Sequence, residues 1–292
     1  MGFVVAAIVN EPSAVLERFV SWYLRQGADR VALYFDDPAH PDIARFAALP
    51  YVTVTPCTAE FWASLGLSAE VRFTLRQNAA LTHAYRAQTE GWLLNVDADE
   101  LMYAAGKTLA AWLATQTEPQ SLRIASAEQI HTAGPQQLFR LQIAKAEVNE
   151  IYGAESDLFR RRYGLIGHAD GKSFHRAGRS DLRLRQHWAE DASGAEVIGT
   201  RLFARDGVHL LHYMAPNYAA WRNKLDWRLN AHGFPAPIKE RLRACQASAD
   251  PEAGFRALFD LLHAPDPKQI AALEAIGGIL RLPADFGAPQ TG

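Results

Sequence analysis

The chain has 292 residues, 49% of them hydrophobic and 21% charged, with a formal net charge of −2. That length buries a sizeable core, as one large α/β domain or as one domain with an appendage. The balance excludes a disordered chain and a globally basic nucleic-acid binder, so no nucleic-acid partner is expected.

Cys57 and Cys245 are too few and too scattered for a disulfide framework or a zinc knuckle, which points to a reducing compartment. The first apolar run, Phe3–Ile8, has no basic residues ahead of it, ends at Asn10 and Glu11, and is too short for a signal peptide or a span. No other segment approaches 18 uninterrupted apolar residues. The expected location is cytoplasmic, with any membrane association peripheral, at the inner face.

Phe3–Ile8 lacks polar alternation, as a parallel strand buried on both faces does. Pro12 and Ser13 punctuate a helix start, Leu16, Phe19, Val20 and Tyr23 follow at helical spacing, and Gly27 suits the C′ position. Arg30–Phe35 reads as a second strand, broken by Asp36, Asp37 and Pro38. A short helix over Asp42–Leu49, a strand over Val52–Thr55, a longer helix over Ser68–Ala87 and an apolar strand over Trp92–Asp97 come next. This βαβ rhythm belongs to a doubly wound nucleotide-binding half, which binds ligands at the carboxyl ends of its strands. Asn10, Glu11, Asp36, Asp37 and Asp97–Glu100 all fall at such ends.

Beyond Ala105 the rhythm loosens. A helix over Leu109–Thr115 and strands over Leu122–Ala125 and Val208–Tyr213 are expected, with helices over Tyr218–Leu229, Ile238–Ala247 and Phe255–Leu262 and a frayed end from Gly287. His131–Ser193, rich in Gly, Arg and His, suits an acceptor-side region of loops and short strands. The spacing therefore predicts a nucleotide-binding half over 1–105, a second half of the same domain over 106–230, and a C-terminal helical extension over 231–292.

Charge is distributed unevenly. Phe159–Arg205 holds ten Lys or Arg against five acids, so this stretch is about +5 and the rest about −7. The stretch is either a solvated face or an anion site for a diphosphate or an acidic acceptor. If it faces the strand ends, Lys172 and then Arg176 are its leading cations.

Asp97-Ala98-Asp99-Glu100 is the sharpest local feature. A bare Asp-x-Asp arises by chance in a chain this long, but here it ends a buried strand, where residues i and i+2 of an extended segment point to the same side. Adjacent carboxylates in an apolar crevice repel one another unless a cation lies between them. Hard oxygen ligands suit Mn2+ or Mg2+ bound jointly with substrate phosphates.

In order, Val9-Asn10-Glu11, the helix Phe19–Gln26, the Gly27–Val31 turn, Arg76-Gln77-Asn78, Trp92 through Leu101, Gly171-Lys172-Ser173, His212-Tyr213 and Lys224 resemble the bacterial glycosyltransferase family 2-like group. That group is related in pattern to glycosyltransferase family 92, and the match covers most of residues 1–230. The resemblance implies a GT-A-type, Rossmann-like α/β fold with a mainly parallel sheet flanked by helices. It implies a nucleotide-diphosphate sugar donor, a glycan, polysaccharide or lipid-linked acceptor, and inversion at the anomeric carbon. It assigns base and ribose contacts to Glu11 and Asp36, beside Asn10, and the ion to Asp97 and Asp99. His212 would be a third ligand or a phosphate contact, Lys172 would neutralise the leaving diphosphate, and Gln77 would line the donor site. Inversion needs a general base. Position alone favours Asp170, with Asp157, Glu155 and His168 as rivals. The family's Lys before Asn-Glu is Val9 here, and its Asp-Asn-x-Ser-x-Asp turn is replaced by Asp36-Asp37-Pro38, which leaves donor identity open.

Other classes fit less well. A haloacid-dehalogenase-type phosphatase carries Asp-x-Asp on its first strand and Thr or Val where this chain has Leu101. A sugar nucleotidyltransferase opens with a Gly-rich, Arg-containing loop, absent after Ile8. A non-catalytic carbohydrate- or nucleotide-binding scaffold on the same fold is the alternative from outside enzymology.

Overall fold

The structure is a computed structural model, and it describes residues 2–197, 199–230 and 234–289. The end of the expected frayed tail, from residue 290, lies outside the described residues. In chain order the elements are β1 (Phe3–Val9), α1 (Ser13–Arg25), β2 (Arg30–Phe35), α2 (Ile43–Ala47), β3 (Val52–Pro56), α3 (Ala59–Ser64) and α4 (Phe73–Arg86). They continue with β4 (Trp92–Asn95), β5 (Glu100–Ala104), α5 (Leu109–Leu113), β6 (Ser121–Ile124), β7 (Ser126–Ile130), β8 (Gln136–Arg140), α6 (Lys145–Tyr152) and α7 (Asp157–Arg160). The remainder are β9 (Lys172–Arg176), β10 (Arg183–Leu184), β11 (Ala189–Glu190), β12 (Thr200–Leu202), β13 (Val208–His212), α8 (Tyr218–Asn223), α9 (Leu225–Asn230), α10 (Ala236–Gln246), α11 (Pro251–His263), α12 (Pro267–Ala275) and β14 (Ile279–Pro283).

The chain folds into two compact units that are discontinuous in sequence. One holds residues 1–125, 170–210 and 287–292, the other residues 126–169 and 211–286. Divisions after 105 and 230 treated the chain as consecutive segments, whereas here it leaves the first unit after β6 and re-enters it just before β9.

The first unit is an α/β layer structure with a mainly parallel sheet flanked by helices. Its seven strands run in the order β12-β6-β9-β4-β1-β2-β3. Neighbours β1/β2, β1/β4, β2/β3 and β12/β6 are parallel, and β9 is antiparallel to both β4 and β6. Every residue of β1 and β4 is buried, which is why neither shows polar alternation. Val4, Ala6 and Ile8 pack with Ala80, Leu81 and Ala84 of α4. Phe3 meets Phe174 of β9 edge-on, and Trp112 of α5 packs against the same ring. Strand order reverses between β1 and β4, which opens the crevice that doubly wound sheets use for ligands.

Two helix expectations change. The helix expected from Ser68 starts only at Phe73, because Arg76 Nη1 donates to the carbonyls of Ala69 (2.9 Å) and Val71 (2.7 Å) and holds that stretch as a loop. The helix expected over Tyr218–Leu229 is interrupted at Lys224.

His175, on β9, is fully buried with no hydrogen-bond partner on either ring nitrogen. Burial first, and then the Arg123 guanidinium, push its pKa down from 6.5 to about 3. The unfolded chain binds a proton below about pH 6.5 that the native ring refuses until about pH 3, so this stability is whole above pH 6.5 and is lost as pH falls through that window. In urea titrations, His175→Leu is expected to lose less midpoint than the parent protein between about pH 6.5 and about pH 4. Equal losses would place the acid sensitivity elsewhere.

The second unit contains the antiparallel run β14-β8-β7 and a helical cluster. Val148, Phe159, Trp221, Leu225, Ile238, Leu242 and Leu262 form its fully buried centre. The C-terminal segment is thus not purely helical, since Ile279–Pro283 pairs along Gln136–Arg140. Between β7 and β8, Glu128 and Arg140 are register partners with side chains 1% exposed, joined by an ion pair of 3.2 Å. Glu128 also accepts the amide protons of Ile166 (2.7 Å) and Gly167. Arg140 lies over the Phe159 ring at 4.9 Å and donates to Tyr152 Oη (3.3 Å) and to the Leu262 carbonyl (3.4 Å). Gly167 fits because a Cβ there would fall 2.7 Å from Glu128 and 3.2 Å from the His212 ring.

Candidate active site

The candidate site lies at the carboxyl edge of the first unit's sheet. Asn10 and Glu11 follow β1, Asp36 follows β2 and Asp97 follows β4, as the βαβ reading places them. Asn10 is exposed, and its amide donates to Glu11 Oε2 (2.9 Å).

Asp97–Glu100 is not the extended segment expected from the sequence. Glu100 N–H donates to the Asp97 carbonyl at 3.0 Å, closing a turn between β4 and β5. Ala98 is buried, while Asp97 and Asp99 are half-buried on either side of it. Both acids therefore stand in one turn, on either side of a buried alanine.

Asp97 is held from several directions. Gln77, on α4, donates to Oδ1 (2.7 Å), and Gln77 Oε1 in turn accepts from Gln186 Nε2 (2.6 Å). Lys172 Nζ donates to Oδ2 (2.9 Å) and lies 3.5 Å from Glu100 Oε2, which also accepts the Asp97 amide proton (2.8 Å). Burial pulls the Lys172 pKa down, but the Asp97 and Glu100 charges and hydrogen bonds outweigh it and raise the value above that of an ordinary lysine, so the group is charged at any working pH.

The loop between β10 and β11 is latched onto this end of the sheet. Asn95 Nδ2 donates to the carbonyls of Arg185 and Gln186, each at 3.1 Å. Ser173 Oγ donates to His187 O (2.6 Å), and His187 Nδ1 donates to Gly171 O (2.7 Å). Gly171 is required here, with φ +71° and a would-be Cβ only 1.8 Å from the Ile124 carbonyl oxygen.

The other expected residues separate. Asp36 receives a two-pronged contact from Arg76, at 2.9 and 2.8 Å, and is therefore part of an ion pair. Asp170 is half-buried and directly precedes Gly171 and Lys172. His212, His168, Asp157 and Glu155 belong to the second unit, where His212 lies beside Gly167 and Glu155 pairs with Arg241 at 2.5 Å. No group of three or more His, Cys, Asp or Glu that could hold a metal ion occurs among the described residues.

Arg176 does not serve the acidic edge. Because β9 runs against β4, Lys172 starts at the carboxyl end, while Arg176 pairs with Trp92 at the opposite end, about 13 Å along the strand. Its guanidinium donates to the carbonyls of Gln116, Thr117 and Pro119. Arg179 and Arg185 pair with Asp181 (2.6 Å) and Glu190 (2.5 Å), and Arg201 lies 3.6 Å from Glu196. Much of the positive stretch is thus answered locally.

Sequence reasoning missed Asn95, Ser173, Gln186 and His187 as parts of this edge. Asn95 and Ser173 lie in segments that carry the resemblance but have no assigned role there, and Gln186 and His187 lie in a region without periodicity.

No family model matches the chain, and no curated protein matches it. Among solved structures it is similar to S. aureus TarS. For TarS residues 1–349 the identity is 12% over 99% of this chain and 81% of that one, with a TM-score of 0.32. For a longer TarS chain, identity is 16% over 89% of this chain and 44% of that one, with a TM-score of 0.36. The 1–349 chain in complex with UDP gives 14%, 82%, 69% and 0.34 in the same order. Likeness this distant carries no residue role. No helix among the described residues is long and apolar enough to cross a membrane.

Proposed function

We propose that the protein is a glycosyltransferase of GT-A type that moves a sugar from a nucleotide-diphosphate donor to a hydroxyl on a glycan, polysaccharide or lipid-linked acceptor, with inversion. The observation that carries this reading is the Asp97–Glu100 turn at the carboxyl end of β4, beside the β1/β4 crevice, with its acids held in place by Gln77 and Lys172. Such an edge suits an anionic donor bound together with a cation.

Asp97 and Asp99 offer hard carboxylate oxygens within one turn, a chemistry that suits Mn2+ or Mg2+, and these two residues would hold the ion. When bound, such an ion supplies Lewis-acid stabilisation of the leaving nucleoside diphosphate.

The chain's own residues bind and orient. Glu11 is the acceptor for base or ribose hydrogen bonds. Asp36, with both oxygens engaged by Arg76, fixes Arg76 and the 69–71 backbone and offers a ribose its remaining lone pairs. Gln77 keeps Asp97 aimed, Lys172 lowers the negative charge the diphosphate meets, and Asp170 takes the acceptor proton.

The test is a nucleotide-sugar panel read by thermal shift and by nucleoside-diphosphate release, with and without Mn2+. One donor is expected to raise Tm and to be turned over only with the ion. Binding without release would identify the non-catalytic module instead, and no shift with any donor would overturn the reading.

A further inference from the structure

Lys172 is 2% exposed, and its ammonium contacts two carboxylates, Asp97 at 2.9 Å and Glu100 at 3.5 Å. Its backbone is fixed on both sides, since Lys172 is the register partner of Ile124 on β6 and Ser173 that of Asn95 on β4. Gly171, ahead of it, packs so closely on the Ile124 carbonyl that the main chain has no room to swing. The ammonium is therefore built into the sheet. A buried ammonium costs several kcal/mol unless carboxylates answer it, and carboxylates gathered at such an edge carry the same requirement. A divalent ion approaching Asp97 meets a positive charge already in contact with one of its oxygens, and like charges a few ångströms apart repel strongly away from bulk water.

We propose that Lys172 is the resident counter-cation of the acidic strand end, a positioning residue that holds Asp97 and Glu100 and suppresses divalent-ion binding to the nucleotide-free protein. The inference rests on the reading of this edge as the ion-binding part of a donor site. It differs from a purely structural role, because a structural lysine would alter stability without altering ion affinity.

The test uses the full chain without nucleotide. Mn2+ is titrated in and the free ion followed by its electron-paramagnetic resonance signal. The parent protein is expected to leave the ion largely free, and Lys172→Met to bind one Mn2+ per chain at least roughly tenfold more tightly. Lys172→Gln serves the same purpose should the methionine variant fail to fold, and Asp97→Asn added to either variant should abolish the gain. Parent and variants with equal Mn2+ affinity would overturn the proposal, as would a gain that survives Asp97→Asn. Failure of the proposed function appears elsewhere, as no response to any nucleotide sugar, and does not alter this measurement.

Discussion

Arg140→Met is expected to cost about 3–5 kcal/mol of stability, because removing one partner of a buried ion pair strands the other charge. Glu128 would keep the Ile166 and Gly167 amides but lose the counter-charge that Arg140 supplies, and the Tyr152 hydroxyl and Leu262 carbonyl would each lose a donor. Denaturant unfolding checks the magnitude. Adding Glu128→Gln should recover part of the loss, since the stranded charge disappears with it. Hydrogen exchange at Ile166 and Gly167 should quicken in the single variant. A loss below about 1 kcal/mol, the range of an exposed pair, would show that the network does not hold the second unit together.

Asp99→Asn is the second large effect, this time on turnover. The substitution keeps the shape of a half-buried side chain beside buried Ala98, so Tm should stay within about a degree, the scale of a neutral surface change. Mn2+-dependent donor turnover should fall about a hundredfold or more, because a carboxylate that helps hold the ion facing the diphosphate is gone. Asp97→Asn should behave differently, losing turnover and stability together, since Lys172 and Gln77 both lean on that carboxylate. Undiminished turnover in Asp99→Asn would remove that residue from the mechanism.

These two aspartates also mark the limit of what a linear reading reveals. The buried strands β1, β2 and β4 were legible because strands covered on both faces are continuous apolar runs, and Arg30–Phe35 has the expected bounds. The acids at their carboxyl ends followed from the topology. Their partners did not, since Lys172 lies 75 residues from Asp97 and Gln186 lies 109 residues from Gln77. Arg176 falls away from the site because β9 runs against β4, which the sequence does not reveal, so that four residues separate the site from the far edge. Helix α3, six residues capped by Thr58, and β14, whose partner strand is remote in sequence, carried no periodic signal long enough to stand out.

The position of β9 sets an order of events during synthesis. In the finished sheet β9 fills the place between β4 and β6, although it is made after both. A ribosome adding about 5–20 residues per second needs roughly 4–15 s to pass from Asp97 to Lys172. Throughout that interval the nascent chain carries the acids of the β4 end without their ammonium, and β6 has no strand through which to join β4. Closure of the sheet and neutralisation of its acidic edge are therefore one event, and a chain that stops before residue 172 completes neither.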